Sequence, residues 1–291
     1  MKRKIKTSIY RPAKLKAAIL IIHGMCEHRK RYDDFARFLC KNGYGVISYD
    51  QLGHGETRDD VFGYFGQNGW NNLISTANNL VSTLKNEFKD VPCYIFAHSM
   101  GSIVARSYIK QYDDRIDGLI LSGAPCYQKG AGFARLYVDM ICMIKGDKNT
   151  DKSLKNMIEG GFNRKIKDPK TSIDWLSFNE KNIENYANDP FCGGHFTNRG
   201  YHDLVTGLID IHKANEYQCK NPRMPILFMA GEFDPCTGFA KGVEDSISVL
   251  KKAGYQDITT CIYHNSRHEI LNDNDADKVY EDCLTWLDKR N

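Results

Sequence analysis

Six short runs of apolar residues constrain the fold of this chain more than any other feature of its sequence. Each run has the length of a β-strand and is bounded by Gly, Pro, Asn or Asp. The runs cover residues 17–24, 44–50, 92–99, 116–123, 224–231 and 257–264. Runs that stay apolar throughout are typical of strands covered on both faces, as in a parallel sheet. Residues 3–10 resemble a further strand, which we expect at the edge of the sheet.

Helical patterns alternate with these runs. They cover residues 32–41, 70–88, 100–112, 239–252 and 275–289. This alternation predicts right-handed crossovers in an α/β fold with a mostly parallel, doubly wound sheet. It stops over residues 126–222, which show helical stretches but no buried strand, and a loop of that length is not structureless in a compact domain. We therefore predict an α/β core, formed by residues 1–125 and 223–291, and an inserted helical cap at 126–222.

The composition argues against several functional classes. No apolar run approaches the ~18 residues of a membrane helix, and the N-terminus lacks the apolar stretch of a secretion signal, so we expect a cytoplasmic protein. The net charge of +4 is spread along the chain, which does not favour a nucleic-acid partner. The ten cysteines lack metal-binding spacing and no phosphate-binding glycine motif occurs, so we expect neither a metal nor any other cofactor.

One apolar run ends in a candidate nucleophile. Residues 97–101 read AHSMG, and the predicted helix begins directly after Ser99. A serine between small residues at a strand-to-helix turn is typical of a nucleophile elbow, although serine is also common in ordinary turns. The interpretation therefore depends on whether the chain supplies a base and an acid at the same edge of the sheet.

Two later loops supply candidates for both. His268 follows the last predicted strand, and Asp234 follows the strand at 224–231, so both lie at the same carboxyl edge as Ser99. Imidazole can remove the serine proton, and a carboxylate can orient the imidazole. Glu232 competes with Asp234, which is favoured because it lies deeper in the loop, next to Pro235. The chain order Ser, Asp, His is that of α/β-hydrolases.

A tetrahedral intermediate also needs donors for its oxyanion. The N–H of Met100 follows the candidate nucleophile at a helix N-terminus, where the helix dipole assists. A second donor is expected in the loop after the strand at 17–24, where Gly24 lets the backbone turn and Met25 follows. We predict that these two N–H groups form an oxyanion hole.

Five segments together resemble a known family. They read HGMCEHRKRY (23–32), YDQLGHGET (49–57), AHSMGS (97–102), GEFDP (231–235) and RHEILND (267–273). These segments are similar to motifs of the monoacylglycerol lipase and lysophospholipase group of α/β-hydrolases. The resemblance implies a Ser99, Asp234 and His268 triad, an oxyanion hole at Met25 and Met100, and the α/β-hydrolase fold. Ala97 departs from the family, which usually has glycine there.

We therefore expect a serine ester hydrolase that cleaves monoacylglycerols or lysophospholipids through an acyl-enzyme. A short-chain carboxylesterase, a thioesterase or a carbon–carbon bond hydrolase on the same scaffold is the alternative, because one fold carries many reactions. A non-catalytic ligand-binding protein of the same fold is the alternative from another class.

The cap segment 133–146 carries a broad apolar face. Its members are Phe133, Leu136, Tyr137, Met140, Ile141, Met143 and Ile144. One interpretation is an acyl-chain tunnel or a transient membrane-surface contact; the other, which we favour for most of these residues, is packing on the body of the protein. The predicted substrate-binding residues are Gly24, His98, Phe133, Tyr137, Met140, Ile141 and Cys236. The expected partner is a small lipid or ester substrate.

Overall fold

A single twisted sheet runs through the protein. The computed structural model describes residues 4–59, 61–127 and 130–291. The strands formed by these residues are β1 (Thr7–Tyr10), β2 (Ala17–Ile22), β3 (Tyr44–Tyr49), β4 (Cys93–His98), β5 (Gly118–Ser122), β6 (Ile226–Gly231) and β7 (Ile258–Tyr263). Their order in the sheet is β1-β3-β2-β4-β5-β6-β7. β1 pairs antiparallel with β3 and every other neighbouring pair is parallel, which confirms the predicted mostly parallel sheet.

Helices cover both faces of this sheet. In the described part of the chain they are α1 (Asp33–Lys41), α2 (Gly69–Glu87), α3 (Met100–Tyr112), α4 (Ala131–Lys145), α5 (Lys152–Ile158), α6 (Glu180–Asn188), α7 (Asn198–Asp210), α8 (Phe239–Ala253) and α9 (Ala276–Asp288). None of them is both long and apolar enough to cross a lipid bilayer. The five helices predicted outside the cap segment correspond to α1, α2, α3, α8 and α9. Residue 3, the first of the predicted edge strand, lies outside the described residues.

Two hydrophobic cores explain why the five central strands are buried throughout, whereas the edge strands β1 and β7 are partly exposed. In β2, Ala17, Ile19 and Ile21 pack with α1 and α9 on one face. The alternate residues Ala18, Leu20 and Ile22 pack with α2, α3 and α8 on the other face. Because side chains alternate between the faces of a strand, a sheet covered on both sides needs apolar residues at every position.

The helices α4 to α7 stand between β5 and β6 in the chain, within the predicted cap at 126–222. α4 packs against α7, and α7 packs against α2 and α3 of the core. The buried Lys110 of α3 donates to Asp210 at the end of α7, at 2.6 Å, which ties the cap to the helix that follows Ser99. We keep the name cap for residues 126–222; its boundaries stay a prediction.

The apolar face of α4 is mostly exposed. Phe133 is 82% exposed and Met143 is 86% exposed, and among the seven residues predicted to form this face only Ile141 is buried. The expectation that most of them pack on the body is therefore wrong. α4 is apolar around most of its circumference, and the side that packs inward carries Val138, Ile141 and Cys142 instead.

Candidate active site

Ser99 occupies a tight turn between β4 and α3. Its backbone is left-handed, with φ 50° and ψ −120°, which is unfavourable for any residue with a side chain. The turn is held by its N–H, which donates to Ser122 O at 2.9 Å, and by its carbonyl, which accepts from Ser102 Oγ at 2.7 Å. Gly101 allows the turn to approach β2, because a Cβ there would lie 2.4 Å from the carbonyl oxygen of Ile22. The turn forms with Ala97 in the place of the glycine usual in the family.

The structure brings Ser99, His268 and Asp234 together. Ser99 Oγ lies 2.8 Å from His268 Nε2, and His268 Nδ1 lies 2.8 Å from Asp234 Oδ2. His268 comes from the loop after β7 and Asp234 from the loop after β6, at the edge where β4 also ends. The other carboxylate oxygen, Oδ1, accepts from the N–H groups of Cys236 (2.8 Å) and Thr237 (3.3 Å), which fix the carboxylate in position. All three side chains of this group are buried.

The environment of His268 suits a general base. Burial by itself lowers the pKa of His268, but the charge of Asp234 and its hydrogen bond outweigh burial, so the net pKa is raised above the usual 6.5. The neighbouring His98 behaves in the opposite way, because burial first and the proximity of His268 second lower its pKa to about 4. The two rings lie 4.7 Å apart, so a neutral His98 packs against His268 without adding a second charge.

Glu232, the alternative to Asp234 as the partner of His268, pairs with a different histidine. Glu232 Oε2 lies 3.0 Å from Nδ1 of His264, on the exposed side of the loop. Asp234 and Glu232 therefore each pair with a different histidine, and Asp234 is the one directed at His268.

The predicted oxyanion donors are free to bind a ligand. Among the described residues, neither the N–H of Met25 nor the N–H of Met100 has a hydrogen-bond acceptor, while the N–H groups of Gly24 and Cys26 on either side of Met25 donate to Glu27 and His54. Met25 and Met100 both line the same cavity as Ser99. Unpaired N–H donors beside a nucleophile are what an oxyanion requires.

A buried ionic cluster that the sequence did not predict supports this loop. Glu27 Oε1 accepts from the N–H of Gly24. Arg31 donates to Glu27 Oε2 at 3.0 Å, to both oxygens of Glu269 at 2.5 and 2.7 Å, and to Asn182 of α6 at 3.0 Å. Burial raises the pKa of Glu27, but Arg31 and the other neighbours outweigh it and lower the pKa to about 2, so Glu27 stays ionised. The segments HGMCEHRKRY and RHEILND contain Glu27, Arg31 and Glu269, and were the only sign of the cluster in the sequence.

A cavity of about 890 Å³ opens above Ser99 and beneath the cap. Five of the predicted substrate-binding residues line it: Gly24, His98, Phe133, Tyr137 and Cys236. The prediction that Met140 and Ile141 also line it is wrong, because Met140 lies outside the lining and Ile141 packs into the core. Trp175 of the cap was not predicted; it lines the cavity, and its ring lies 4.9 Å from that of His268.

Two groups of side chains in the described residues have atoms close enough to share a metal ion. One is His28, Asp189 and Cys192, and the other is Asp234, Cys236 and His268. In both groups a histidine nitrogen lies 2.8 Å from the carboxylate, so the pair is already hydrogen-bonded. Burial raises the pKa of the Cys236 thiol well above its usual value, which keeps the thiol protonated beside Asp234.

Comparisons with known proteins agree with the fold. A family profile described as "Serine aminopeptidase, S33" matches residues 13–275. Phospholipase YtpA of Bacillus subtilis is 26% identical over 276 residues, which cover 94% of this chain and 95% of the relative. Monoglyceride lipase of Rattus norvegicus is 26% identical over 279 residues, which cover 94% and 83% of the two chains. A solved structure of a thermostable carboxyl esterase from Bacillus coagulans, in complex with glycerol, superposes with a TM-score of 0.88 at 26% identity and covers 99% of this chain and 94% of that one.

Proposed function

The chain belongs to the serine aminopeptidase S33 family, in the monoacylglycerol lipase and lysophospholipase group of α/β-hydrolases, and we propose that it cleaves monoacylglycerols or lysophospholipids with a Ser99, His268 and Asp234 triad. It is a carboxylic ester hydrolase. The family description mentions aminopeptidases, but the relatives compared above, which match nearly the whole chain, are a phospholipase, a monoglyceride lipase and a carboxyl esterase.

The proposed reaction follows from the hydrogen bonds of the triad. Ser99 Oγ attacks the ester carbonyl carbon while its proton moves to His268 Nε2, 2.8 Å away. Asp234 holds Nδ1 of the ring and stabilises the imidazolium that forms. The oxyanion accepts hydrogen bonds from the N–H groups of Met25 and Met100, each donor contributing roughly 3 kcal/mol.

The second half of the reaction uses the same groups. His268 gives its proton to the leaving alcohol, and the acyl group stays bonded to Ser99 Oγ. Water then enters, His268 removes its proton, and the hydroxide attacks the acyl carbon. When the second tetrahedral intermediate collapses, the proton returns to Ser99 and the free acid leaves.

The cavity is the observation that carries the lipid assignment. Its volume lies at the upper end of the ~300–1,000 Å³ of ordinary ligand pockets, and much of its lining between Ser99 and the cap is apolar. That part of the lining includes Ile103 of α3, Phe133 of α4, and Leu204, Val205 and Leu208 of α7. A long acyl chain would fill this space, whereas an acyl group of two to four carbons would leave most of it unfilled.

A hydrolysis panel tests the proposal. Monoacylglycerols, lysophospholipids, simple esters and thioesters, each with acyl chains of different length, are compared by kcat/KM. We expect the highest values for long-chain monoacylglycerols or lysophospholipids. A preference for acyl chains of only a few carbons would indicate the short-chain carboxylesterase instead, and a preference for thioesters would indicate a thioesterase.

The nucleophile is tested in the same panel with Ser99→Ala. This variant should keep the melting temperature to within a few degrees, because Ser99 Oγ makes one hydrogen bond, and lose about 10⁴-fold or more in kcat. A fluorophosphonate probe should label wild-type protein at Ser99 and leave the variant unlabelled. Wild-type turnover in Ser99→Ala would overturn the triad, and an unlabelled, inactive wild type would favour a non-catalytic ligand-binding protein.

We further propose that the exposed apolar face of α4 contacts a lipid surface. Phe133 and Tyr137 are exposed and also line the cavity, so the exposed face is continuous with the site where substrate would bind. Lys148 and Lys152 follow at the end of this face and suit anionic headgroups, and Lys145 between them and the face pairs with Asp151.

A further inference from the structure

The loop that carries Met25 is held on one side by the cap. The carbonyl oxygen of Cys26 accepts two hydrogen bonds, one from the Tyr186 hydroxyl of α6 at 2.9 Å and one from the Gly193 N–H at 3.0 Å. Both donors belong to the cap, whereas Cys26 belongs to the core. A carbonyl oxygen has two lone pairs, and the cap occupies both.

Cys26 needs external support because its own backbone is unfavourable. It has φ 57°, in the left-handed region that residues with a side chain rarely adopt. Its N–H donates to Nε2 of His54 at 3.3 Å, and its thiol lies 2.9 Å from Gly194 O. Contacts from outside the loop therefore hold this conformation, as is required where strain is kept at a functional site.

Met25 lies between two restrained residues. On its N-terminal side the N–H of Gly24 donates to Glu27, and on its C-terminal side the carbonyl of Cys26 binds the cap. The peptide that carries the free N–H of Met25, whose carbonyl oxygen on Gly24 lies 2.7 Å from Nδ1 of His23, therefore lies between these two anchors. An oxyanion donor works only if it already points at the developing charge, so a loss of either anchor lowers the rate more than the affinity for substrate.

Tyr186 is itself fixed in position. The guanidinium of Arg31 lies 5.0 Å from the centre of its ring, and Arg31 is bonded to Glu27 and Glu269 of the core. Tyr186 is 7% exposed. Burial and the neighbouring thiol and carboxylate raise its pKa well above the usual value, so its hydroxyl stays protonated at neutral pH and can donate to the Cys26 carbonyl.

We propose that Tyr186 is a positioning residue for the oxyanion hole: its hydroxyl holds the Cys26 carbonyl and, through it, the direction of the Met25 N–H. This proposal rests on the proposed function. It assigns to a cap residue a part in transition-state stabilisation, in addition to the part that the cap plays in enclosing the substrate.

Tyr186→Phe tests the proposal, with Tyr217→Phe as the matched control. Tyr217 is also 7% exposed, and its hydroxyl also donates to a backbone carbonyl at 2.9 Å, that of Ile211, but it lies away from the cavity lining. We expect Tyr186→Phe to lower kcat about 10-fold with KM within 2-fold of wild type. The affinity for a trifluoromethyl ketone, which forms a tetrahedral adduct on the serine, should fall by the same factor as kcat.

The control variant loses an equivalent buried hydrogen bond, but its kcat and inhibitor affinity should not fall. Tyr217→Phe is expected to keep kcat and inhibitor affinity within 2-fold of wild type, while both variants lose a similar amount in melting temperature. Hydrogen exchange adds a readout that does not depend on turnover: amides of residues 24–27 should exchange faster in Tyr186→Phe than in Tyr217→Phe.

Equal kcat values and equal exchange in the two variants would overturn the positioning role. A raised KM with unchanged kcat would also overturn it, because that result indicates direct contact between Tyr186 and the substrate. Both results leave the triad intact. Failure of the proposed function itself is seen separately, as wild-type activity in Ser99→Ala or as no fluorophosphonate labelling of wild-type protein.

Discussion

At the scale of single residues, the backbone of Ser99 is under strain that the rest of the fold maintains. A left-handed residue of this kind costs about 1–3 kcal/mol, and it persists only where its surroundings determine it. Here the surroundings are the hydrogen bond from its N–H to Ser122 and the close approach that Gly101 permits to β2. The turn leaves the hydroxyl hydrogen-bonded to His268, so the geometry that the proposed attack requires is present before substrate binds.

The pairing of His268 with Asp234 predicts a pH dependence. Only the neutral imidazole can accept the serine proton, so kcat/KM should rise with pH through the pKa of His268. Asp234 raises that pKa in spite of burial. The rise of kcat/KM on the acidic side of the profile, which we call the acid limb, should therefore have its midpoint above pH 6.5. Asp234→Asn removes the negative charge, so the limb should move to lower pH while the maximal rate falls by about 10³- to 10⁴-fold.

The measurement is kcat/KM from pH 5 to pH 9 on a substrate whose own ionisation does not change. Glu232→Gln is the control, since that carboxylate faces His264 instead of His268, and it should leave the limb where it is in wild type. An unmoved limb in Asp234→Asn would contradict the assignment.

Sequence patterns predicted the residues of the site unequally. Ser99, Asp234 and His268 could be found because each lies at or shortly after the end of a recognisable strand, and parallel strands end at one edge. The Arg31 and Glu269 pair could not, because these residues lie 238 positions apart and neither follows a pattern that implies burial. Tyr186 could not be predicted either, since its role depends on how the cap lies on the core.

At the scale of elements, the strands were predicted closely, but the buried side of α4 was not. A strand covered on both faces is apolar at every position, so its pattern and its surroundings agree. α4 is also apolar on most sides, and here the pattern does not reveal which side is covered. The structure turns Val138 and Ile141 inward and leaves Leu136, Met143 and Ile144 exposed.

The exposed side of α4 predicts binding to vesicles. Replacing Leu136, Met143 and Ile144 together by serine removes three apolar side chains that do not line the cavity. Burying one such side chain is worth about 1.5–3 kcal/mol. The triple variant should therefore bind vesicles at least about 10-fold more weakly than wild type. Co-sedimentation with vesicles of phosphatidylcholine and phosphatidylglycerol measures it.

Turnover of a water-soluble ester should stay unchanged in this triple variant, which separates lipid contact from damage to the site. Phe233→Ser is the control for a generally less apolar surface, because Phe233 is exposed and belongs to the loop after β6, not to α4. Equal vesicle binding by the wild type and the triple variant would rule out α4 as the contact.

At the scale of the whole molecule, buried neutral histidines predict lower stability in mild acid. Burial, followed by the proximity of His23, lowers the pKa of His54 from 6.5 to about 3. Below pH 6.5 the unfolded chain therefore binds a proton at His54 that the folded chain does not. The free energy of unfolding should fall by about 1.4 kcal/mol per pH unit for this residue as pH falls from 6.5 towards 5.

Urea unfolding of wild type and His54→Asn at pH 7, 6 and 5 tests this contribution. The variant is expected to be less stable at pH 7, because it loses contacts with Phe65 and Phe196, but its stability should fall less steeply with acid. His268 does not disturb this window: its raised pKa stabilises the folded state fully below 6.5 and loses that effect only as pH rises. Parallel slopes for the two proteins would contradict the prediction.

The two cap donors on the Cys26 carbonyl restrict how this enzyme can be re-engineered or can diverge. A chimera that received the cap of a relative, in order to change its acyl preference, would have to bring a hydroxyl and an amide to the same oxygen. A graft without them would leave a buried acceptor unsatisfied, at about 1–3 kcal/mol, in the loop beside the reacting carbonyl. A change of cap in this chain would therefore alter both the acyl preference and the rate of the proposed reaction. A new cap would need matching changes in the loop that it contacts.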